Sequence, residues 1–490
     1  MTNACPPFPR PSSRLSRPVA VLSALAVAGL PQLALAAEAA GAPHLDGREL
    51  GAVWVVPFVG ILLSIALLPL LTPNIWHHHF GKIAAGWALA FIVPFAALFG
   101  VDLAAFELLH TAMLEYIPFI VLLTALFTVA GGVRIAGSLV GTPMANTVGL
   151  ALGTALASVM GTTGASMLLI RPLLRANEHR RHKVHTVVFF IFLVSNVGGS
   201  LTPLGDPPLF LGFLKGVDFF WPTTHLIGPM ALVSVCLLAM YFALDLYLHT
   251  KDPGKHPLIE GVHEREPVRI EGAVNLLLLV AIVGAVLLSG VWHPDAGVTV
   301  FHVHVPLETI VSQALLLLIT GLSLKLTSAH SRRLNAFTWG PIVEVAKLFA
   351  AIFLTIIPAI AILRAGTEGA LGAIIAAVND NGQPVPAAYF WAAGILSSFL
   401  DNAPTYLIFF NTAGGEPQVL MKDLAVTLTA ISAGAVFMGA NSYIGNAPNF
   451  MVKAIAEERG VKMPSFFGYM LWSCGILVPL FVLVTWVFFR

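Results

Sequence analysis

The chain has 490 residues; 57% carry hydrophobic side chains and only 10% are charged, 26 Lys and Arg against 25 Asp and Glu. Soluble globular chains carry roughly 25% charged residues, so this composition excludes a cytoplasmic enzyme, a disordered protein and a disulfide scaffold, and a net charge of +1 supplies no basic face for nucleic acid. A spanning helix takes about 20 apolar residues, and the length holds on the order of ten of them. The expected fold class is an all-α polytopic membrane protein.

At the N-terminus Arg10, Arg14 and Arg17 precede an apolar run, Val19 to Leu35, that ends in Ala34-Leu35-Ala36. A basic stretch, an apolar stretch and a small-residue site make residues 1–36 a secretory signal peptide or an uncleaved first helix. Either reading puts Glu38–Glu49 outside the cytoplasm and points to a bacterial inner membrane. Cys5, Cys236 and Cys474 are too scattered for a thiolate metal site; they read as small packing residues, and no cofactor is expected.

Apolar spans follow at Gly51–Leu71, Ile83–Val101, Ile117–Val133, Thr186–Val197, Leu226–Leu248, Ala273–Val291, Leu307–Leu324, Ile342–Leu363, Leu424–Ala440 and Phe467–Phe489. His77-His78-His79, after Trp76, read as an interfacial turn, and His302 and His304 alternate as on a short outer strand. Two further stretches, Asn146–Leu174 and Ala387–Phe410, are broken near their middles. The first break reads Gly161-Thr162-Thr163-Gly164; the second reads Ser397-Ser398, then Asp401-Asn402-Ala403-Pro404.

Lys and Arg cluster at Arg171–Lys183, Lys251–Arg269, Lys325–Arg333 and Lys453–Lys462. All four clusters fall on one side of the membrane if both broken stretches turn back as re-entrant hairpins, and the positive-inside rule selects that topology. Each hairpin is followed by a helix with a Gly/Pro-rich interruption, Ser195 to Pro208 in the first half and Gly439 to Asn449 in the second. Glu115 and Glu344 open the helices that precede them. The chain therefore divides into a first transporter repeat at 51–248, a cytoplasmic linker at 249–272 and an inverted second repeat at 273–490. Paired interruptions of this kind mark the binding site of secondary transporters.

The run Asn196-Val-Gly-Gly-Ser-Leu-Thr-Pro-Leu-Gly-Asp-Pro-Pro resembles the broken-helix signature of the ion transporter superfamily. That group holds the NhaD-type sodium/proton antiporters, arsenite permeases, citrate carriers and divalent-anion/sodium symporters. Ser398-Phe-Leu-Asp-Asn-Ala-Pro resembles the hairpin tip of the antiporter and arsenite branches, and Gly439-Ala-Asn441-Ser-Tyr-Ile-Gly-Asn446-Ala-Pro-Asn449 is similar to the second broken helix. The first tip, Met160 to Ser166, departs from the antiporter pattern: it lacks Asp-Asn and looks closer to the anion symporters, which leaves the branch open. The resemblance implies a homodimer in the lipid bilayer.

Ionisable groups at bilayer depth are expensive and mark function by default. Asp206 and Asp401 lie at a break and a tip, where the halves should meet. Two carboxylates beside free carbonyls suit a hard cation, so Na⁺ or Li⁺ exchanged for H⁺ is expected; a citrate or dicarboxylate carrier coupled to a cation is the alternative. Asp401 is expected to be the exchanging carboxylate, with Asn402, Thr162, Thr163, Asn196, Thr202, Asn441, Ser442 and Asn446 as neutral ligands. For Asp206 a local helix-capping role competes. Glu344 and Lys347, three apart on one helix face, suggest a proton relay or an intramembrane ion pair. Asp245 reads as interfacial. No P-loop or catalytic constellation occurs, so neither ATP-driven transport nor enzymatic activity is expected.

Overall fold

The computed structural model of the chain describes residues 45–137, 139–251, 267–335 and 337–490. The expected signal segment at 1–36 lies outside these residues, as does most of the expected linker at 249–272. Among the described residues ten helices are long and apolar enough to cross a membrane, and the protein is an all-α polytopic membrane protein. Three short antiparallel strand pairs are its only sheet among those residues.

The first half runs α1 (Val56–Leu71), α2 (Pro73–Phe99), α3 (Val101–Ala130), β1 (Arg134–Ala136), α4 (Pro143–Met160), α5 (Thr162–Ala176), α6 (Val184–Leu193), α7 (Pro207–Leu214) and α8 (Trp221–Lys251). Helix α2 begins a full ten residues before the expected Ile83, so His77–His79 lie on its first turns and not in a turn. Helix α3 absorbs the expected outer loop 102–115; Glu115 sits mid-helix, in the single π-helical turn Ala112–Tyr116, and does not open the helix. That segment is rich in Leu and Ala and holds neither Gly nor Pro, so nothing in it stops a helix.

The second half opens with β2 (Arg269–Glu271), paired to β1, and α9 (Val274–Val291). The β3–β4 hairpin (Gly297–Val300, Val303–Pro306) follows, with His304 on β4 and His302 in its positive-φ turn. Then come α10 (Leu307–Leu326), the short α11 (Ala329–Leu334), α12 (Gly340–Arg364), α13 (Gly372–Val378) and the two-residue pair β5–β6 (Asn379–Asp380, Gln383–Pro384). The chain closes with α14 (Pro386–Phe399), α15 (Asn402–Thr412), α16 (Pro417–Lys422), α17 (Ala425–Met438), α18 (Ala447–Glu458) and α19 (Phe466–Phe488). One of the ten long helices, α4, is the first arm of the first broken stretch; α17, a span by sequence, is shorter.

Both broken stretches form helical hairpins, α4–α5 and α14–α15. Gly161, at φ +81°, makes the first tip in a conformation that only glycine takes without strain. The two interruptions become short 3-10 turns, Val197–Leu201 after α6 and Gly439–Asn441 after α17, each followed by an extended return into a helix with proline in its first turn. Helices α14 and α17 pack backbone to backbone: a Cβ at Gly434 would stand 2.4 Å from the Phe390 carbonyl oxygen.

Asp245 is fully buried and not interfacial. It pairs with Arg180 at 2.6 Å and His185 at 2.7 Å, and accepts from Asn146 and Tyr241, each at 3.2 Å. Asn146 on α4 and Asn177 at the end of α5 bond each other reciprocally at 2.9 Å, closing the base of the first hairpin against α8. At the end of α3, Arg332 Nη1 donates to the Thr128 carbonyl at 2.9 Å, and Asn335 reaches the carbonyls of Gly131 and Val133 at 3.0 and 2.7 Å. These side chains supply the partners that a helix C-terminus lacks.

Candidate functional site

The two tips and the two breaks meet at one carboxylate. Asp206 precedes α7 and is 1% exposed. Its Oδ1 accepts from Thr162 Oγ1 at 2.9 Å and from Asn446 Nδ2 at 3.1 Å, and its Oδ2 accepts a short bond from Asn402 Nδ2. Thr162 opens α5, Asn402 opens α15, and Asn446 precedes α18. Four helix N-termini, of α5, α7, α15 and α18, therefore face the same point, and each contributes partial positive charge there. The capping role weighed for Asp206 is absent, because its side chain makes no cap bond to α7. Asp401 takes that role instead: its Oδ1 accepts from the Ala403 N–H at 3.1 Å, at the start of α15.

The local bonds of the two halves correspond. Asp206 and Asn446 are 240 residues apart, and the same offset relates Thr162 to Asn402, Thr202 to Ser442 and Ser158 to Ser398. Thr202 Oγ1 donates to the Ser158 carbonyl, as Ser442 Oγ does to that of Ser398 at 2.5 Å. Ser158 Oγ donates to the Gly198 carbonyl at 2.5 Å, and Ser398 Oγ to that of Met438 at 3.1 Å. Each hydroxyl pair thus laces a hairpin tip to the break that follows it. The close approach needs glycine: a Cβ at Gly205 would fall 2.1 Å from the Gly199 oxygen, and one at Gly445 would fall 2.6 Å from that of Gly439.

Asn196 crosses between the halves. Its Nδ2 donates to Asn449 Oδ1 at 2.7 Å and to the Ile191 carbonyl at 2.8 Å, while its Oδ1 receives Asn446 Nδ2 at 3.3 Å. Asn449 Nδ2 reaches the carbonyls of Gly439 and Ser442 at 2.8 and 2.9 Å. Asn441 Nδ2 donates to Ser398 Oγ at 2.9 Å. Two amide oxygens, Asn402 Oδ1 and Asn441 Oδ1, are buried without a hydrogen-bond partner. Buried polar atoms are nearly always satisfied, so these oxygens, that of Asn402 on the side chain bonded to Asp206 and that of Asn441 on the side chain bonded to Ser398, are acceptors available to a cation.

A cavity of about 110 Å³ opens beside this node. Thr162, Thr163 and Asp206 form its polar side, and Phe127, Ile342 and Met451 are among the apolar residues opposite. A water needs about 10–15 Å³ measured in this way, so the cavity holds several waters or a partly hydrated ion. Neither Lys nor Arg is among the hydrogen-bond partners of Asp206 or Asp401.

Glu344 and Lys347 lie apart from the node and from each other. Glu344 on α12 stands beside Trp76 and His77, whereas Lys347 Nζ lies 5.4 Å from the Phe80 ring centre. They form no ion pair: one turn apart on α12, each side chain meets a different part of α2. Ser158 belongs to the node although no motif contains it, and Ser398 and Asn449, present in the motifs, join it as bonding groups beyond the expected ligands. The constant offset was the signal for the serines, since aligning Thr202 with Ser442 brings the two into register.

Residues 47–489 match the family described as "Putative citrate transport". An uncharacterized transporter of Mycobacterium bovis and one of Mycobacterium tuberculosis are each 26% identical over 338 residues, covering 67% of this chain and 73% of the relative. A 46 kDa membrane protein of Mycobacterium leprae is 24% identical over 341 residues, with the same coverage. The match spans every element that builds the node, and the chain belongs to this citrate-transport family of multi-pass membrane transporters.

Proposed function

We propose that the protein is a secondary active transporter that exchanges Na⁺ or Li⁺ for H⁺, with Asp206 as the exchanging carboxylate and Asp401 beside it. One observation carries this reading: Asp206 joins both tips and both breaks through neutral donors only. A carboxylate buried at that depth without a fixed cation needs a proton or a metal ion to neutralise it. Occupancy of the site by one excludes the other, which is the requirement for exchange. Asn402 Oδ1 and Asn441 Oδ1 supply further oxygens of the type that a hard cation prefers. The corresponding bonds of the two halves support an inverted pair of repeats, whose rocking would present the cavity to each side in turn.

Cation-coupled transport of a citrate-like carboxylate is the second reading. It is favoured by the family description and by the four helix N-termini around Asp206, which attract an anion once a cation has neutralised the carboxylate. Proteoliposomes holding a preset pH gradient separate the two. Dissipation of the gradient on adding Na⁺ or Li⁺, without citrate, supports exchange. A gradient that ignores both cations, together with saturable uptake of labelled citrate, would sink it in favour of the carboxylate carrier.

A further inference from the structure

Basic residues that are distant in the sequence converge at the end of α5 farther from the node. Arg171 and Arg175 stand on its last turns, Arg134 on β1 and Arg459 at the end of α18. With Leu334 and Asn335 they line a pocket of about 20 Å³. Two of the four guanidinium groups have a carboxylate at the rim: Arg134 Nη1 meets Glu271 at 2.8 Å, and Arg459 Nη1 stands 3.7 Å from the exposed Glu178. Arg175 Nη2 donates to the Ile135 carbonyl at 2.8 Å. Among the described residues Arg171 has no ion pair; Glu458 acts on it only through space. Its Nη1 is buried with no hydrogen-bond partner. An unsatisfied buried guanidinium N–H beside three more arginines is a costly arrangement unless an anion completes it.

We propose that this pocket is an oxyanion site for a phosphate group, either that of an anionic phospholipid headgroup or that of free phosphate. Arginine is the side chain suited to phosphate, because its planar fork matches the oxygens in pairs. Basic pockets between membrane helices on the Lys/Arg-rich face take such headgroups. The pocket has room for only one or two water-sized groups, so it takes one or two oxygens of a phosphate and not a whole tricarboxylate, and it shares no lining residue with the cavity at Asp206. Its walls belong to two sets of elements. Helices α5 and α18 begin at the Asp206 node, whereas β1 and α11 hold the end of α3. A bound phosphate therefore bridges them.

The test is thermal unfolding and native mass spectrometry of the full chain, purified in a zwitterionic detergent. Dioctanoyl phosphatidylglycerol, dioctanoyl phosphatidylcholine and inorganic phosphate form separate arms. Saturable stabilisation by phosphatidylglycerol but not phosphatidylcholine assigns a lipid headgroup; stabilisation by inorganic phosphate alone assigns the free ion. In either case Arg171→Gln is expected to raise the half-saturating concentration about tenfold or more, the scale of one charge-assisted hydrogen bond. Arg459→Gln, at a side chain more than half covered but still open to solvent, is expected to raise it by less; it gives a second reading should the first variant fold poorly. The proposal is overturned if neither phosphatidylglycerol nor phosphate stabilises saturably, if phosphatidylcholine does so equally, or if both variants respond as the wild type does.

Discussion

Asp206→Asn separates a carboxylate that exchanges ions from one that only holds helices together. The side chains have nearly the same shape, but one oxygen becomes an NH₂ group. Thr162 Oγ1 and Asn446 Nδ2 both donate to Oδ1, and Asn402 Nδ2 donates to Oδ2. With the new oxygen in the Oδ1 place, the first two bonds survive and the NH₂ meets the Asn402 amide. Asn402 can turn over and present Oδ1, which has no partner to lose. The structural cost is then the difference between charged and neutral acceptors, about 1–2 kcal/mol in all, and the variant stays folded. Its transport has no such remedy, because an amide neither binds a proton at physiological pH nor carries the charge that holds Na⁺. We expect at least a hundredfold loss of flux, equivalent to about 2.7 kcal/mol. The assay is cation-driven proton movement, read by a pH dye inside proteoliposomes. Asp401→Asn runs in parallel: Asn caps a helix as well as Asp does, so the bond to Ala403 and the fold are kept. Flux surviving there but lost in Asp206→Asn identifies the exchanging group. Wild-type flux from folded Asp206→Asn protein would refute the reasoning.

Three other outcomes follow from the packing. Gly205→Ala places a methyl group 2.1 Å from the Gly199 backbone oxygen, and a clash with backbone costs about 1–3 kcal/mol or more; a fall in Tm with loss of monodispersity is expected, and an unchanged Tm would count against the crossing of these turns. Asp245→Asn removes the buried carboxylate that pairs with both Arg180 and His185, a loss of about 3–5 kcal/mol, so Tm should drop markedly, and a wild-type melting curve would show that the cluster is not a stabilising one. The side-chain hydrogen bond from Arg134 holds the Glu271 carboxyl below the ordinary glutamate range. A lower value in the folded state means stability that is complete above the unfolded value and lost as pH falls through the folded one. The protection factors of the β1–β2 amides, corrected for the intrinsic slowing of exchange at low pH, should therefore fall in acid, and Arg134→Gln should flatten that dependence; equal acid sensitivity in both proteins rules the pair out as its source.

How much of this was legible in the sequence depended on where the partners lie. Hairpin tips and helix breaks announce themselves locally, because Gly161, Pro207, Pro404 and Pro448 interrupt apolar runs at membrane depth, and such runs break only around a cavity or inside protein. Glu115 misled for a local reason too: a basic-poor stretch reads as a loop, yet Leu and Ala carry α3 straight through it. Asp206 and Asp245 were obscured differently. Gly-Asp-Pro has the grammar of a helix cap, and an Asp near the end of a long apolar helix has that of an interface. What overrides both readings comes from far along the chain, Asn402 and Asn446 for the first and Arg180 for the second.

The offset of 240 residues also shows why the two acidic positions do not have the same standing. It relates Asp206 to Asn446, and Gly161 to Asp401, so each half contributes one carboxylate, but at positions that are not equivalent. In the first half the charge is at the break, and a glycine stands at the tip. In the second half the charge is at the tip, where it caps α15, and an amide occupies the break. A tip-based comparison therefore finds an Asp-Asn pair in one half only and favours Asp401. The packing instead draws donors from three of the four elements onto the fourth, so that among the described residues Asp206 is the acidic group that touches both tips and both breaks. A change in its charge would be felt by both hairpins and both broken helices at once, and coupling an ion to a conformational change requires a group in such a position.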